Sequence, residues 1–123
     1  MLIVDERKGN MPFINAKVSV PLTEEKRVAI KTALGKSISV MGKGERFLML
    51  GFEENVPLFL GGEKQEKCAF VDIKVFGEVN PDQANQMTAL VCQTMEMVLG
   101  IPADKTYVTY QGLSDWGWNG RNF

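Results

Sequence analysis

The sequence predicts an α+β domain made of two tandem βαβ units, giving a four-stranded mixed sheet with both helices on one face. Three observations predict it. Two segments alternate apolar and polar residues with the period of a strand, and two others carry apolar stripes at helical spacing. The second member of each pair follows the first at an offset of about 57 residues.

The first strand is FINAKVSV, residues 13–20, with Ile14, Ala16, Val18 and Val20 on one face. The first helix is TEEKRVAIKTALGKSISVM, whose stripe is Ile30, Leu34, Ile38 and Met41. Thr23 is a suitable N-cap, Glu24 and Glu25 suit the positive helix start, and Gly42 is placed to end it. Gly35 lowers the helix propensity, so the assignment rests on the stripe. A short apolar strand, RFLMLGF, follows at residues 46–52.

The second unit repeats the pattern. Residues 69–76, AFVDIKVF, alternate Ala69, Val71, Ile73 and Val75. The second helix has Asn80 as cap, Pro81 at its first position and Gly100 as stop. Its stripe, Met87, Val91, Met95 and Val98, has the same intervals as the first, and its methionines read as core filling. TYVTY, residues 106–110, stands where RFLML stood. The turn-rich connection at 53–67 contains a short apolar edge strand around Leu58–Leu60. A ferredoxin-like domain has the same element order, and periodicity does not separate it from other pairings of two βαβ halves. Four apolar strands covered on one face are an aggregation hazard, which predicts an oligomer that packs the second face inward.

Composition narrows the function. At 123 residues the chain is one domain, and 45% hydrophobic with 24% charged residues is ordinary for a globular protein. A net charge of −1 offers nothing to nucleic acid or an anionic membrane. No apolar run has the length of a membrane span, and the charged start MLIVDERKGN is not a secretory signal, so the expected compartment is the cytoplasm. Cys68 and Cys92 read as two reduced, mostly buried thiols. There is no histidine, which removes Ser-His-Asp and Cys-His nucleophiles and most transition-metal sites. No metal or cofactor is expected, and any catalysis needs another base.

MPFINAKV (11–18), GK (42–43), CAFVDIKVFG (68–77), TYVTY (106–110) and WGWNGRNF (116–123) stand in an order and spacing that resembles the macrophage migration inhibitory factor family of the tautomerase superfamily. The resemblance runs from Met11 to Phe123, leaving residues 1–10 as an N-terminal extension ahead of one domain at 11–123. It implies a homotrimer with active sites between neighbours, and a cofactor-independent keto–enol tautomerase acting on aromatic 2-keto acids such as phenylpyruvate. Pro12 falls on the catalytic base, a free N-terminal proline. Lys43 falls on the lysine that pairs with the substrate carboxylate, and Phe76 on the position whose backbone N–H holds substrate. Tyr107 matches a tyrosine contributed by the adjacent subunit. Phe13, Phe47, Trp116 and Phe123 fall on pocket walls. An α-amino group titrates near ~7.7–8, and desolvation beside cations moves it toward the neutral, proton-accepting form that abstraction next to a carbonyl requires.

The sequence also departs from the family. A substrate-binding asparagine is Thr109 here, with shorter reach. The CxxC motif of mammalian members reads CAFV, with Val71 at the second thiol, so a thiol–disulfide activity is not implied. Arg121 and Asn122 replace a small Ser-Thr pair; Arg121 reads as a solvated side chain. Each residue also has a packing explanation. Pro12 suits the start of an edge strand, Lys43 suits a helix C-terminus, Tyr107 suits a core or interface, and Trp116 and Trp118 suit an interface as well as a pocket. A second function class therefore stays open: a cytokine-like trimer that binds a protein receptor, secreted without a signal, with tautomerase activity vestigial or absent.

The state of Pro12 divides these classes, because Met1 and Met11 are both candidate starts. Residues 6–9, Glu-Arg-Lys-Gly, are encodable by an almost purely purine stretch resembling a bacterial ribosome-binding site, which favours Met11 as the start. If residues 1–10 remain, the Pro12 nitrogen is an amide with no basicity.

Overall fold

A computed structural model describes residues 11–123, and the expected extension at 1–10 lies outside them. The chain runs β1 (Pro12–Val18), α1 (Glu24–Ser37), β2 (Met49–Glu53), β3 (Phe59–Leu60), β4 (Glu63–Lys64), β5 (Ala69–Phe76), α2 (Pro81–Leu99), β6 (Thr106–Leu113), β7 (Gly117–Trp118) and β8 (Arg121–Asn122). The main sheet has the order β2-β1-β5-β6. β1 pairs parallel with β2 and β5 parallel with β6, while β1 and β5 run antiparallel at the centre. These are the two expected βαβ units, joined side by side.

Strand alternation decides which residues meet the helices. Ile14, Ala16 and Val18 of β1 and Val71, Ile73 and Val75 of β5 are fully buried under Ile30, Leu34 and Ile38 of the first helical segment and Met87, Val91 and Met95 of α2. The two methionines are thus core filling. Val98 is only half-buried, and Leu99 takes the last buried place on α2.

Both helices are capped as their sequences require. The Thr23 hydroxyl accepts from Lys26 N–H at 3.2 Å, and Asn80 Oδ1 accepts from Asp82 and Gln83 N–H. Gly42 and Gly100 end their segments in the left-handed conformation, at φ 71° and 68°. The first segment does not stay α-helical to Gly42. It tightens into a 3₁₀ turn at Ile38–Met41, where the Ser39 hydroxyl bonds the Lys36 carbonyl.

Three other expectations are corrected. The second strand begins at Met49 rather than at residue 46, because Leu48 N–H closes on the Glu45 carbonyl at 2.9 Å and winds Glu45–Phe47 into a 3₁₀ turn. The apolar segment near Leu58–Leu60 does form a strand, but β3 pairs with β4 in a separate hairpin rather than on the sheet edge. Gly61 and Gly62 both adopt positive φ there, the geometry of a type I′ turn. The sheet face away from the helices is mixed rather than wholly apolar: Phe13, Met49, Phe70 and Tyr107 stand on it among polar residues. Asn15 donates to Glu53 at 2.7 Å, Lys17 lies 4.0 Å from Glu53, and Asp72 receives both Lys74 and Thr109. Among the described residues no helix is long and apolar enough to cross a membrane.

One contact between β6 and the turn after β5 permits no side chain. A Cβ on Gly112 would lie 2.3 Å from the Gly77 carbonyl oxygen, while Gly77 N–H donates to the Leu113 carbonyl at 2.8 Å. Gly112→Ala should therefore force the strands apart and cost about 1–3 kcal/mol, the usual penalty of overpacking. A urea midpoint unchanged from the parent would refute this.

Candidate active site

Pro12 is the first residue of β1, opposite Val75 of β5, and it is buried. Because β1 lies inside the sheet, the edge-strand explanation fails; proline is accommodated because it opens the strand. Beside it lies a cavity of about 490 Å³ whose walls include Phe13, Phe47, Met49, Leu113, Trp116 and Trp118. Met11, Lys74, Asp115 and Gly117 complete the lining.

The neighbouring backbone is already engaged. Phe76 N–H donates to the Met11 carbonyl at 3.1 Å, and Lys43 Nζ donates to the Phe76 carbonyl at 3.3 Å. Lys43 stands just after the left-handed Gly42, so the turn that ends the first helical segment aims it there. Burial pushes its pKa below the ordinary lysine value.

The C-terminal tail builds the aromatic wall. Asn119 and Gly120, both at positive φ, fold β7 against β8, and Phe123 N–H returns to the Trp116 carbonyl at 3.1 Å. Phe123 then stacks on Phe76 with centroids 5.4 Å apart and on Trp118 at 6.4 Å. Phe76 meets Trp116 at 6.5 Å, and Phe47 meets Trp118 edge-on at 6.5 Å. The Arg46 guanidinium covers the Phe47 ring at 5.3 Å.

Of the expected site residues, Pro12, Phe13, Phe47 and Trp116 line the cavity, Phe76 and Phe123 support its wall, and Lys43 lies outside the lining on the Phe76 carbonyl. Tyr107 and Thr109 do not join it within one chain. Tyr107, 54% exposed, lines a separate recess of about 270 Å³ with Phe59 and Phe70. Thr109 donates to Asp72 at 3.1 Å on the outer face. Sequence reading missed Met49, Lys74, Leu113 and Asp115. The Asn-Gly pair at 119–120 was the available signal for the hairpin that brings Trp118 in.

Cys68 and Cys92 are both free and half-buried, and Val71 is buried in the core where a second thiol would stand. Burial, with Glu96 nearby, pushes the Cys92 thiol up. Among the described residues no group of three His, Cys, Asp or Glu side chains could hold a metal ion.

The family model of macrophage migration inhibitory factor matches residues 11–123. The chain belongs to this family. It is similar to the solved structure of Leishmania major MIF2, with 34% identity, a TM-score of 0.87, and coverage of 93% of this chain and 98% of that one. The homologue from Prochlorococcus marinus is 30% identical at a TM-score of 0.81, covering 90% of this chain and 98% of the other. The Xenopus laevis factor is 31% identical over 64 residues, which span 50% of this chain and 56% of that protein. The chain thus matches little more than half the length of that curated relative.

The Lys43 environment carries a pH signature. Its pKa is lower folded than unfolded, so between the two values the unfolded chain holds more protons and folding gains stability as pH rises. Relative to Lys43→Met, the parent protein should therefore become more stable as pH rises from neutrality toward 10.5. Paired denaturation curves at neutral and alkaline pH measure this, and a flat difference would contradict it.

Proposed function

We propose that the chain, once processed to begin at Pro12, is a cofactor-independent keto–enol tautomerase of phenylpyruvate-like 2-keto acids. One observation carries this reading. Pro12 lies at an aromatic cavity, and the residue before it, Met11, occupies the Phe76 N–H with its own carbonyl. Removing Met11 exposes a secondary amine and a backbone donor in the same place.

The chemistry follows from these groups. The neutral Pro12 nitrogen takes a proton from C3 of the 2-keto acid, and the C3–H electron pair moves into the C2–C3 bond. The C2 oxygen becomes an enolate and takes a proton from water to give the enol; the Pro12 ammonium returns its proton to the resulting hydroxide, and the base is restored. Lys43, with its positive charge, and the freed Phe76 N–H hold the acid end of the substrate. The aryl group lies against Phe13, Phe47, Trp116 and Trp118. Desolvation and the nearby lysine both lower the amine pKa from its ordinary ~7.7–8, keeping it neutral near physiological pH.

The active assembly in this reading is a homotrimer working in the cytoplasm. Tyr107, exposed and remote from its own cavity, is then free to enter a neighbour's, and Thr109 lies two residues further along the same strand. A chain whose Pro12 nitrogen stays acylated has no base, and for it the remaining role is protein binding.

Intact-mass measurement of the protein made from its own gene, followed by a phenylpyruvate assay, tests the reading. A chain beginning at Pro12 should turn over substrate, whereas Pro12→Gly should lose about 10²–10⁴-fold, the usual contribution of general base catalysis, without changing the sedimentation of the trimer. Full activity in Pro12→Gly, or in a chain retaining Met11, would refute the proline base. A stable monomer would refute the shared site.

A further inference from the structure

The charged side chains that line the Pro12 cavity are Lys74 and Asp115. Asp115 is exposed and solvent-screened, whereas Lys74 is half-buried, with its side chain 35% accessible. Lys74 stands across the strand pair from Phe13, which places it beside the aromatic wall. Its ammonium is held by Asp72 Oδ2, and Asp72 Oδ1 receives the Thr109 hydroxyl at 3.1 Å. Asp72 is thus fixed from two sides and takes one of the three ammonium N–H donors, leaving two for another acceptor.

Lys43 occupies a different place. It sits on the Phe76 carbonyl, two residues further along β5, which is about 7 Å of strand. A 2-keto acid held by Lys43 and Phe76 therefore leaves Lys74 unused at its other end. We propose that Lys74 is a specificity-determining residue that receives a second acidic group, so that the cavity favours dicarboxylic over monocarboxylic acids. This rests on the Pro12 cavity being the substrate site, but it concerns binding alone and needs no free amine.

The experiment is calorimetric titration of the full chain, which already contains this cavity with Met11 in place. The two probes are phenylacetate and 4-carboxyphenylacetate, which share the aryl acid and differ by one carboxylate. The parent should bind the diacid at least about tenfold tighter, a factor one charge-assisted contact supplies. Lys74→Met and Lys74→Gln should bring the two affinities within about twofold, and Lys74→Arg should restore the preference. Equal affinity for both probes in the parent, or a preference that survives in both Lys74→Met and Lys74→Gln, would overturn the proposal. An inactive Pro12 in the phenylpyruvate assay would leave this ratio untouched, so the two readings fail separately.

Discussion

The antiparallel seam between β1 and β5 is the constraint on which the rest of the structure depends. Each βαβ unit could bury only its own stripe, and the seam joins the two stripes into one core. Its register sets Ile14 against Ile73 and Ala16 against Val71, so buried residues face the same layer. A slip of one residue would turn Ile14 and Ala16 toward the outer face and bury Asn15 and Lys17 instead, which the core would not tolerate. The same register places Pro12 opposite Val75, Met11 within reach of Phe76, and Phe13 beside Lys74. The geometry of the site is thus inherited from the hydrophobic pattern of the core.

What was legible in the sequence is what short-range periodicity and capping encode. The two strand–helix–strand units, Thr23 and Asn80 as caps, and Gly42 and Gly100 as stops all appear where their local chemistry puts them. Periodicity alone starts the second strand at residue 46, because an apolar residue beside a strand looks the same whether it enters the sheet or a cavity. The resemblance is what puts Phe47 on the pocket wall. The Leu48–Glu45 bond lifts it out of the strand. Lys74 was invisible for a deeper reason. A lysine on the outward face of a strand reads as solvated, and only pairing with β1, a long-range property, places it beside Phe13. The tail is the opposite case. Asn119 and Gly120 carried a local turn signal, but two-residue strands have no periodicity to draw attention to it.

The mixed outer face shapes the physical argument for assembly. Its ion pairs and hydrogen bonds are compatible with water, while Phe13, Met49, Phe70 and Tyr107 on the same face supply apolar area to bury. Apolar surface is left uncovered at both sheet edges: Met49 of β2 is 69% exposed, and near β6 Tyr107 shares a recess with Phe59 and Phe70. Phe59 is 65% exposed there, and an edge strand also offers unpaired backbone groups. Association through these edges would remove apolar area from water and carry Tyr107 toward another subunit.

In the proposed reading, a single peptide bond decides whether Pro12 can act as a base. While Met11 is attached, the proline nitrogen shares its lone pair with a carbonyl and has no basicity. That same carbonyl satisfies the Phe76 N–H, so the blocked state is also the one in which the local backbone is at rest. Cleavage converts the amide to an amine and removes the acceptor together. A backbone N–H facing a cavity must then find water or another oxygen, since leaving it unpaired costs about 1–3 kcal/mol. In that reading an acid or enolate oxygen would meet that need beside the freed amine. Processing would therefore do more than expose a nitrogen: it would leave an unsatisfied donor whose best partner is the oxygen on which negative charge develops.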